Sequence, residues 1–290
     1  MDKAEWPGAQ PTEKAKRAYI LIATDFSPAS RHGLHYACQL LQGKNIFLDL
    51  LHIYPVPVTY TTDGVALTAI QSGIERAERC MEQELAFVAA HFPGMHIKGR
   101  VITGGFLDTL HEETRRLRPF LLILGTAGFA DLYFGDLDPL NALRDLPVPV
   151  LFIPQGAIIR PIKHMAYAVN YHYVNEQTPL DVLVQLLRFF GADLQVVHAD
   201  KEPEGADKRQ TAGKEWLQER LKSLAVPPPF HWVQARDVIQ GLNHFISSSQ
   251  IDCVAVVPRR YGLWESFFRR SRTKALARLN KLPVLAVHER

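Results

Sequence analysis

Residues 18–30 read AYILIATDFSPAS, and residues 163–175 read KHMAYAVNYHYVN. Laid over each other, the two stretches put Asp25 on Asn170, Phe26 on Tyr171 and Ser30 on Asn175. The match continues outward. LDLLH at 48–52 answers LQVVH at 194–198, which sets His52 against His198. FLLILGTAG at 120–128 answers DCVAVVPRR at 252–260, and DLPVPVLFIP at 145–154 answers NKLPVLAVHE at 280–289. Four matched segments in one order mark a duplicated domain, and their spacing is far too long for a solenoid.

Two domains of about 140 residues fit the usual domain size, and the chain has 290 residues. Hydrophobic residues make up 47% and charged residues 22%, an ordinary globular composition. The net charge of +3 argues against nucleic acid as a main partner, which usually needs a concentrated basic face. Three scattered cysteines, Cys38, Cys80 and Cys253, do not make a disulfide framework and fit a reducing compartment. No apolar run reaches the roughly 18 residues a membrane span needs. Residues 1–17 lack an apolar segment of the signal-peptide kind and read as a flexible lead-in. Cytoplasm is the expected compartment.

The run Tyr19–Thr24 is apolar without alternation, as in a strand buried on both faces. Helical spacing follows from Ser30 to about Gln42, with Leu34, Ala37, Cys38 and Leu41 on one face. Further strands are expected at 46–52, 98–102, 120–124 and 148–153, and helices at 69–92, 107–118 and 137–145. The second half repeats the order, with strands at 165–169, 193–198, 230–234, 253–257 and 284–288. Its helices are expected at 178–190, 213–224, 237–248 and 271–279, with residues 201–213 as a polar loop. Alternating β and α elements with apolar strands imply an α/β fold of parallel sheets covered by helices. The domains are drawn at 18–156 and 160–290, joined by a short hinge.

Ligands of open α/β sheets bind beyond the carboxyl ends of the strands. Those ends carry TDFS at 24–27, LLH at 50–52 and GTAG at 125–128, followed by the final strand PVPVLFI. In that order they resemble the universal stress protein family, and the fainter second copy makes the chain similar to a tandem member with a degenerate second domain. The resemblance implies two Rossmann-like, open-twisted five-stranded sheets of the adenine nucleotide alpha hydrolase-like kind. It also implies that the final strands pair the two halves, an intramolecular pseudo-dimer, with a homodimer of the chain conceivable.

ATP-binding members of that family carry Gly-x2-Gly-x9-Gly-Ser/Thr after strand four. Here Gly125, Thr126 and Gly128 match the start, but Gly135 comes early and Asp136 stands where the family has a hydroxyl. A carboxylate there repels phosphate. The nucleotide reading puts Asp25, Ser27 and His52 toward the nucleoside and Gly125, Thr126, Gly128 and Gly135 near phosphate, with ATP or another adenine nucleotide and magnesium as ligand. The plainer reading has the glycines making a tight turn and Asp25 capping a helix. In the second half Val257 and Arg260 replace the two glycines while Ser271 keeps the hydroxyl. Residues 259–274, RRYGLWESFFRRSRTK, offer Arg259, Arg260, Arg269, Arg270 and Ser271 to an anion or partner, or pack their aromatics on the body.

His32 with His35, and His111 beside Glu112 and Glu113, fall short of a zinc ligand set. No nucleophile elbow, Walker lysine or Cys–His pattern is present, so neither catalytic residues nor a metal site is expected. With the resemblance, this leads us to expect a cytoplasmic stress-response binding protein, not an enzyme, whose first domain is the candidate holder of an adenine nucleotide without turnover. The rival is a nucleotide-independent scaffold that binds a protein, lipid or other anionic partner through loop 259–274 or an apolar cleft.

Overall fold

The computed structural model describes residues 17–55, 64–127, 143, 146–205, 207–222, 224, 226–258 and 281–288. The lead-in except for Arg17 and the helix expected at 271–279 lie outside those residues, as does the helix at 137–145 except for residue 143. The chain divides into two compact units, Met1–Gly125 with Leu146–Val150, and Thr126–Asp145 with Leu151–Arg290.

Unit 1 contains β1 (Ala18–Ala23), α1 (Pro28–Leu41), β2 (Ile46–Tyr54), α2 (Gly64–His91), β3 (Ile97–Thr103), α3 (Phe106–Leu117) and most of β4 (Leu121–Thr126). Its strands lie in the order β3-β2-β1-β4. The pairs are parallel, with Ile20 opposite Leu48 on one side and Leu121 on the other. Sequence order reverses between β1 and β4, which makes the carboxyl end of β1 the place for a ligand. Ile20, Leu21, Ile22, Leu48, Leu50, Leu122 and Ile123 expose nothing. Each such side chain contributes about 1.5–3 kcal/mol through burial.

α1 starts where it does because Ser27 accepts the N–H of Ser30 at 3.2 Å and Pro28 supplies a preset φ. One face of unit 1 carries charge. Asp49, in the middle of β2, exposes nothing. Arg100 of β3 holds it by Nε at 3.0 and 3.1 Å and by Nη2 at 2.9 Å. The Tyr19 hydroxyl donates to the same carboxylate, and Lys98 stands 3.5 Å away. Arg100 also reaches Glu113 of α3 at 2.7 Å, and Glu113 holds Arg116. The Arg116 hydrogen bond is the main cause that keeps the Glu113 carboxyl below its ordinary range; burial opposes it and Arg100 adds to it.

Unit 2 contains β6 (His164–Ala168), a single 3-10 turn (Tyr171–Tyr173), α4 (Leu180–Phe190), β7 (Asp193–Asp200), α5 (Lys208–Leu221), β8 (Phe230–Gln234), α6 (Val238–Ser248), β9 (Cys253–Val256) and β10 (Val284–Ala286). Its strand order is β5-β10-β9-β6-β7-β8, where β5 is Val150–Pro154. The order through β8, β7, β6 and β9 repeats that of unit 1. The final strands β5 and β10 are neighbours, as the family resemblance implies.

The polar loop expected over 201–213 is shorter than the sequence suggested. α5 begins at Lys208 because Asp207 caps it, accepting from Arg209 N at 2.6 Å and Gln210 N at 3.3 Å. Gly213 sits inside this helix and does not start it. A Cβ there would stand 2.2 Å from the Tyr171 carbonyl oxygen, so the missing side chain lets α5 approach the turn. Burial pushes the Cys38 thiol up to about 12 and raises Cys253 as well, so both behave as inert core residues.

Candidate functional site

At the carboxyl end of β1 in unit 1, the side chains of Thr24, Ser27 and Ser30 build a hydroxyl knot. Thr24 Oγ1 donates to Ser30 Oγ at 3.1 Å and accepts the Phe26 N–H at 3.0 Å. Ser30 Oγ donates to the Ser27 carbonyl at 3.1 Å. Asp25 stands exposed above this knot and accepts the Ser27 N–H at 2.9 Å. Burial acts to raise the Asp25 carboxyl. Hydrogen bonds from Ser27 and Ser30 outweigh it together and hold the group below its ordinary value. Asp25 is therefore a carboxylate at neutral pH with an exposed face.

Phe26 takes φ of 63°, a left-handed conformation uncommon for a bulky residue, and such outliers cluster at ligand sites. Its ring packs on His52 with centroids 4.5 Å apart. His52 Nδ1 lies 2.8 Å from the Thr24 carbonyl oxygen. A carbonyl only accepts, so Nδ1 carries the proton and the neutral ring has Nε2 as its acceptor. Asp25, Ser27 and His52 thus come together as the sequence pattern expects.

Gly125 belongs to the same cluster for another reason. It lies inside β4 and not in the loop after it. A Cβ on Gly125 would stand 2.3 Å from the Ala29 carbonyl oxygen and 2.7 Å from Ser30 Cα. Gly33 faces it from α1, with its own Cβ position 2.8 Å from Gly125 Cα. The pair of glycines seats the first turn of α1 on β4. Thr126, considered within unit 2, is 3% exposed, and its hydroxyl has no partner among the described residues. Its carbonyl accepts from Gln155 N at 2.7 Å. Gly128, Gly135, Arg259, Arg260, Arg269, Arg270 and Ser271 lie outside the described residues.

Unit 2 builds the same corner and then closes it. Asn170 accepts the His172 N–H at 3.0 Å, the same bond that Asp25 makes to the Ser27 N–H, but it carries no charge and is half-buried where Asp25 is exposed. Tyr171 is 1% exposed and lies flat on His198, centroids 4.5 Å apart at 19°. Trp232 closes the stack at 4.5 Å from His198. His198 Nδ1 is 3.0 Å from the Val169 carbonyl and 3.4 Å from Tyr171 N. The shorter contact requires the proton on Nδ1, which rules it out as an acceptor for Tyr171. The substitution of Phe26 by Tyr171 was legible in the sequence, but Trp232 comes from β8 and had no counterpart there to signal it. The knot of Thr24 and Ser30 also went unread, although TDFSPAS is dense in capping residues.

Burial lowers His198 below its ordinary 6.5 more than Asp200 and the Val169 carbonyl raise it. His35 and His231 are lowered chiefly by burial too. A lowered imidazole binds its proton more weakly folded than unfolded. The stability it contributes is therefore fully present above about pH 6.5 and is lost as pH falls below that value. Unfolding free energy is expected to decline as pH falls below about 6.5, and His198→Gln should flatten that slope by up to about one proton. Urea titrations at several pH values check this; an unchanged slope in the variant refutes it.

Among the described residues no helix is long and apolar enough to cross a membrane, and no group of three or more His, Cys, Asp or Glu could hold a metal ion. A search of curated proteins finds no match. Among solved structures, a universal stress protein from Archaeoglobus fulgidus DSM 4304 aligns with a TM-score of 0.66 at 14% identity, over 93% of this chain and 98% of that one. A functionally unknown protein from Pseudomonas aeruginosa PAO1 aligns with a TM-score of 0.52 at 15% identity, over 94% of this chain and 93% of that one. At such identities the likeness speaks for the fold. The sequence profile described as Universal stress protein family matches residues 18–154, the span of β1 through β5. Through those residues, just under half of its length, the chain is similar to the universal stress protein family.

Proposed function

We propose that the chain is a cytoplasmic stress-response binding protein that holds one adenine nucleotide, in unit 1, without turning it over. The observation that carries this reading is the contrast between two corners of the same design. In unit 1 an exposed, ionised Asp25 stands beside the half-exposed Phe26–His52 pair. In unit 2 the counterpart of Phe26, Tyr171, is buried on His198, and the counterpart of Asp25, Asn170, carries no charge. A carboxylate with a free face accepts hydrogen bonds from ribose hydroxyls, as acidic residues do in other doubly wound sheets. Aromatic rings beside it suit a purine face. Ser27 and His52 Nε2 add one hydroxyl and one acceptor for the base or sugar edge. Magnesium would accompany the phosphates of ATP. Unit 2 is read as a degenerate second domain that keeps the frame and has given up the ligand.

The test begins with protein purified without added nucleotide, denatured, and its released small molecules identified by mass spectrometry. An adenine nucleotide in near-stoichiometric yield is expected. Asp25→Asn keeps an acceptor for the Ser27 N–H but removes the charge, and should weaken nucleotide binding about tenfold, the loss of one hydrogen bond to a charged group. No released nucleotide, together with no heat on titration of ATP and magnesium, refutes the reading and leaves the nucleotide-independent scaffold.

A further inference from the structure

We propose that unit 2 carries a binding site for a fatty carboxylate at the amino-terminal edge of its sheet, the edge opposite to the Tyr171 corner. A groove of about 720 Å³ opens there, within the roughly 300–1,000 Å³ typical of small-molecule sites. Its walls come from the chain entering β6, the turn into β9, the start of β10 and the last turns of α6.

The groove has a fixed polar floor. Asp252 is 6% exposed and accepts the N–H groups of Lys163 and His164, each at 2.9 Å. Its other oxygen takes Arg160 Nε at 2.9 Å, and Arg160 Nη2 donates to the Ile251 carbonyl at 3.0 Å. The carboxylate is thereby balanced by one guanidinium and has its oxygens occupied. Two further cations line the groove, Lys163 and Lys281, both exposed and with no ion pair among the described residues. The groove therefore carries a surplus of positive charge.

Of the remaining lining, His164, Ser247 and Gln250 are polar and the rest is aliphatic. Ile246 and Ile251 are buried at its base, and Leu282 and Pro283 continue it. Ile158 lines the rim and is 73% exposed, with Ile159 next to it at 39%. Large aliphatic side chains left in water beside a concave site mark a surface that meets an apolar partner. Among the described residues no Phe, Tyr or Trp lines the groove, so nothing there selects a planar base. The two backbone N–H groups that could cradle a phosphate are taken by Asp252. Two ammonium groups bordering a trough with an Ile, Leu and Pro lining fit a single carboxylate on an alkyl chain. This site is independent of the nucleotide reading of unit 1.

Calorimetric titration of the full chain with dodecanoate, below its micelle concentration, should show one molecule bound per chain. Hexanoate should bind at least about tenfold more weakly, because it loses several buried methylenes. Dodecyltrimethylammonium, with the same tail and the opposite charge, should not bind. The double variant Lys163→Gln, Lys281→Gln should lose about tenfold in dodecanoate affinity, the scale of two partly exposed ion pairs. Ile158→Gln should weaken dodecanoate and leave hexanoate unchanged. All three substituted residues are exposed, so the fold stays intact. Equal binding of the cationic amphiphile, or parental affinity in the lysine double variant, overturns the proposal. So does binding to anionic phosphatidylglycerol vesicles without binding of monomeric dodecanoate, which would assign the patch to a membrane surface.

Discussion

Replacing Arg100 by Met is expected to destabilise unit 1 by about 3 kcal/mol, the lower end of what breaking a buried ion pair costs. Asp49 exposes nothing, and Arg100 supplies the three closest charged contacts to it. Without the guanidinium the carboxylate keeps the Tyr19 hydroxyl and Lys98 at 3.5 Å. The Lys98 side chain is 43% exposed and can give only screened compensation. Glu113 loses its partner from β3 at the same time and retains Arg116. Lys98→Met is the comparison: an exposed cation at the same carboxylate should cost about 0–1 kcal/mol. A double variant Asp49→Leu, Arg100→Met should recover much of the Arg100→Met loss, since removing both charges ends the desolvation that made the single change harmful. Urea midpoints of the four proteins decide the matter. If Arg100→Met is no worse than Lys98→Met, the network does not hold β2, β3 and α3 together in the way described.

That network also shows where sequence reading stops. LDLLH was legible as a strand because four of its five residues are apolar or suit a buried strand end, and β2 indeed covers it. Asp49 inside that run gave no sign of its role. Its partner lies 51 residues away, and only the parallel register that sets Leu51 opposite Arg100 brings them together. The order of strands and helices was recoverable because buried parallel strands are apolar throughout and punctuated by Gly, Pro and Asp. Tyr171 was legible as added bulk, whereas its stack on His198 and Trp232 depends on β7 and β8 lying side by side. Loop 201–213 misled because Lys208, Arg209 and Gln210, lying between Gly205 and Gly213, read as solvent-facing chain. Asp207 makes those same residues the first turn of α5. GTAG is the instructive case, because Gly125, read from sequence as a phosphate neighbour, also has a packing duty against Ala29 and Ser30 that the sequence does not display.

Gly125→Val should cost more than about 3 kcal/mol, beyond the usual range for overpacking, because the atoms in the way are backbone and cannot rotate aside. Even the first added carbon would meet the Ala29 carbonyl oxygen at 2.3 Å and Ser30 Cα at 2.7 Å. Relief requires lifting the first turn of α1 from β4, which also parts Gly33 from Gly125. That turn carries Ser27 and Ser30, whose hydrogen bonds position Asp25 and close the knot with Thr24. Gly125→Ala, with one carbon only, should cost about 1–3 kcal/mol and move the same turn less. Gly156→Ala serves as the control. Its Cβ would meet nothing closer than Lys281 Cγ at 3.6 Å, an ordinary contact, and its φ is not in the left-handed region. It should be neutral, or stabilising by up to about 1 kcal/mol through the unfolded chain. The order Val, Ala, control in denaturation midpoints tests the packing argument. Nucleotide release from the Gly125→Ala protein adds a second reading. If Gly125 acts only by seating α1, ligand loss should track the loss of stability and be restored where a second-site change restores the helix. Full stability with abolished binding would instead return Gly125 to the phosphate.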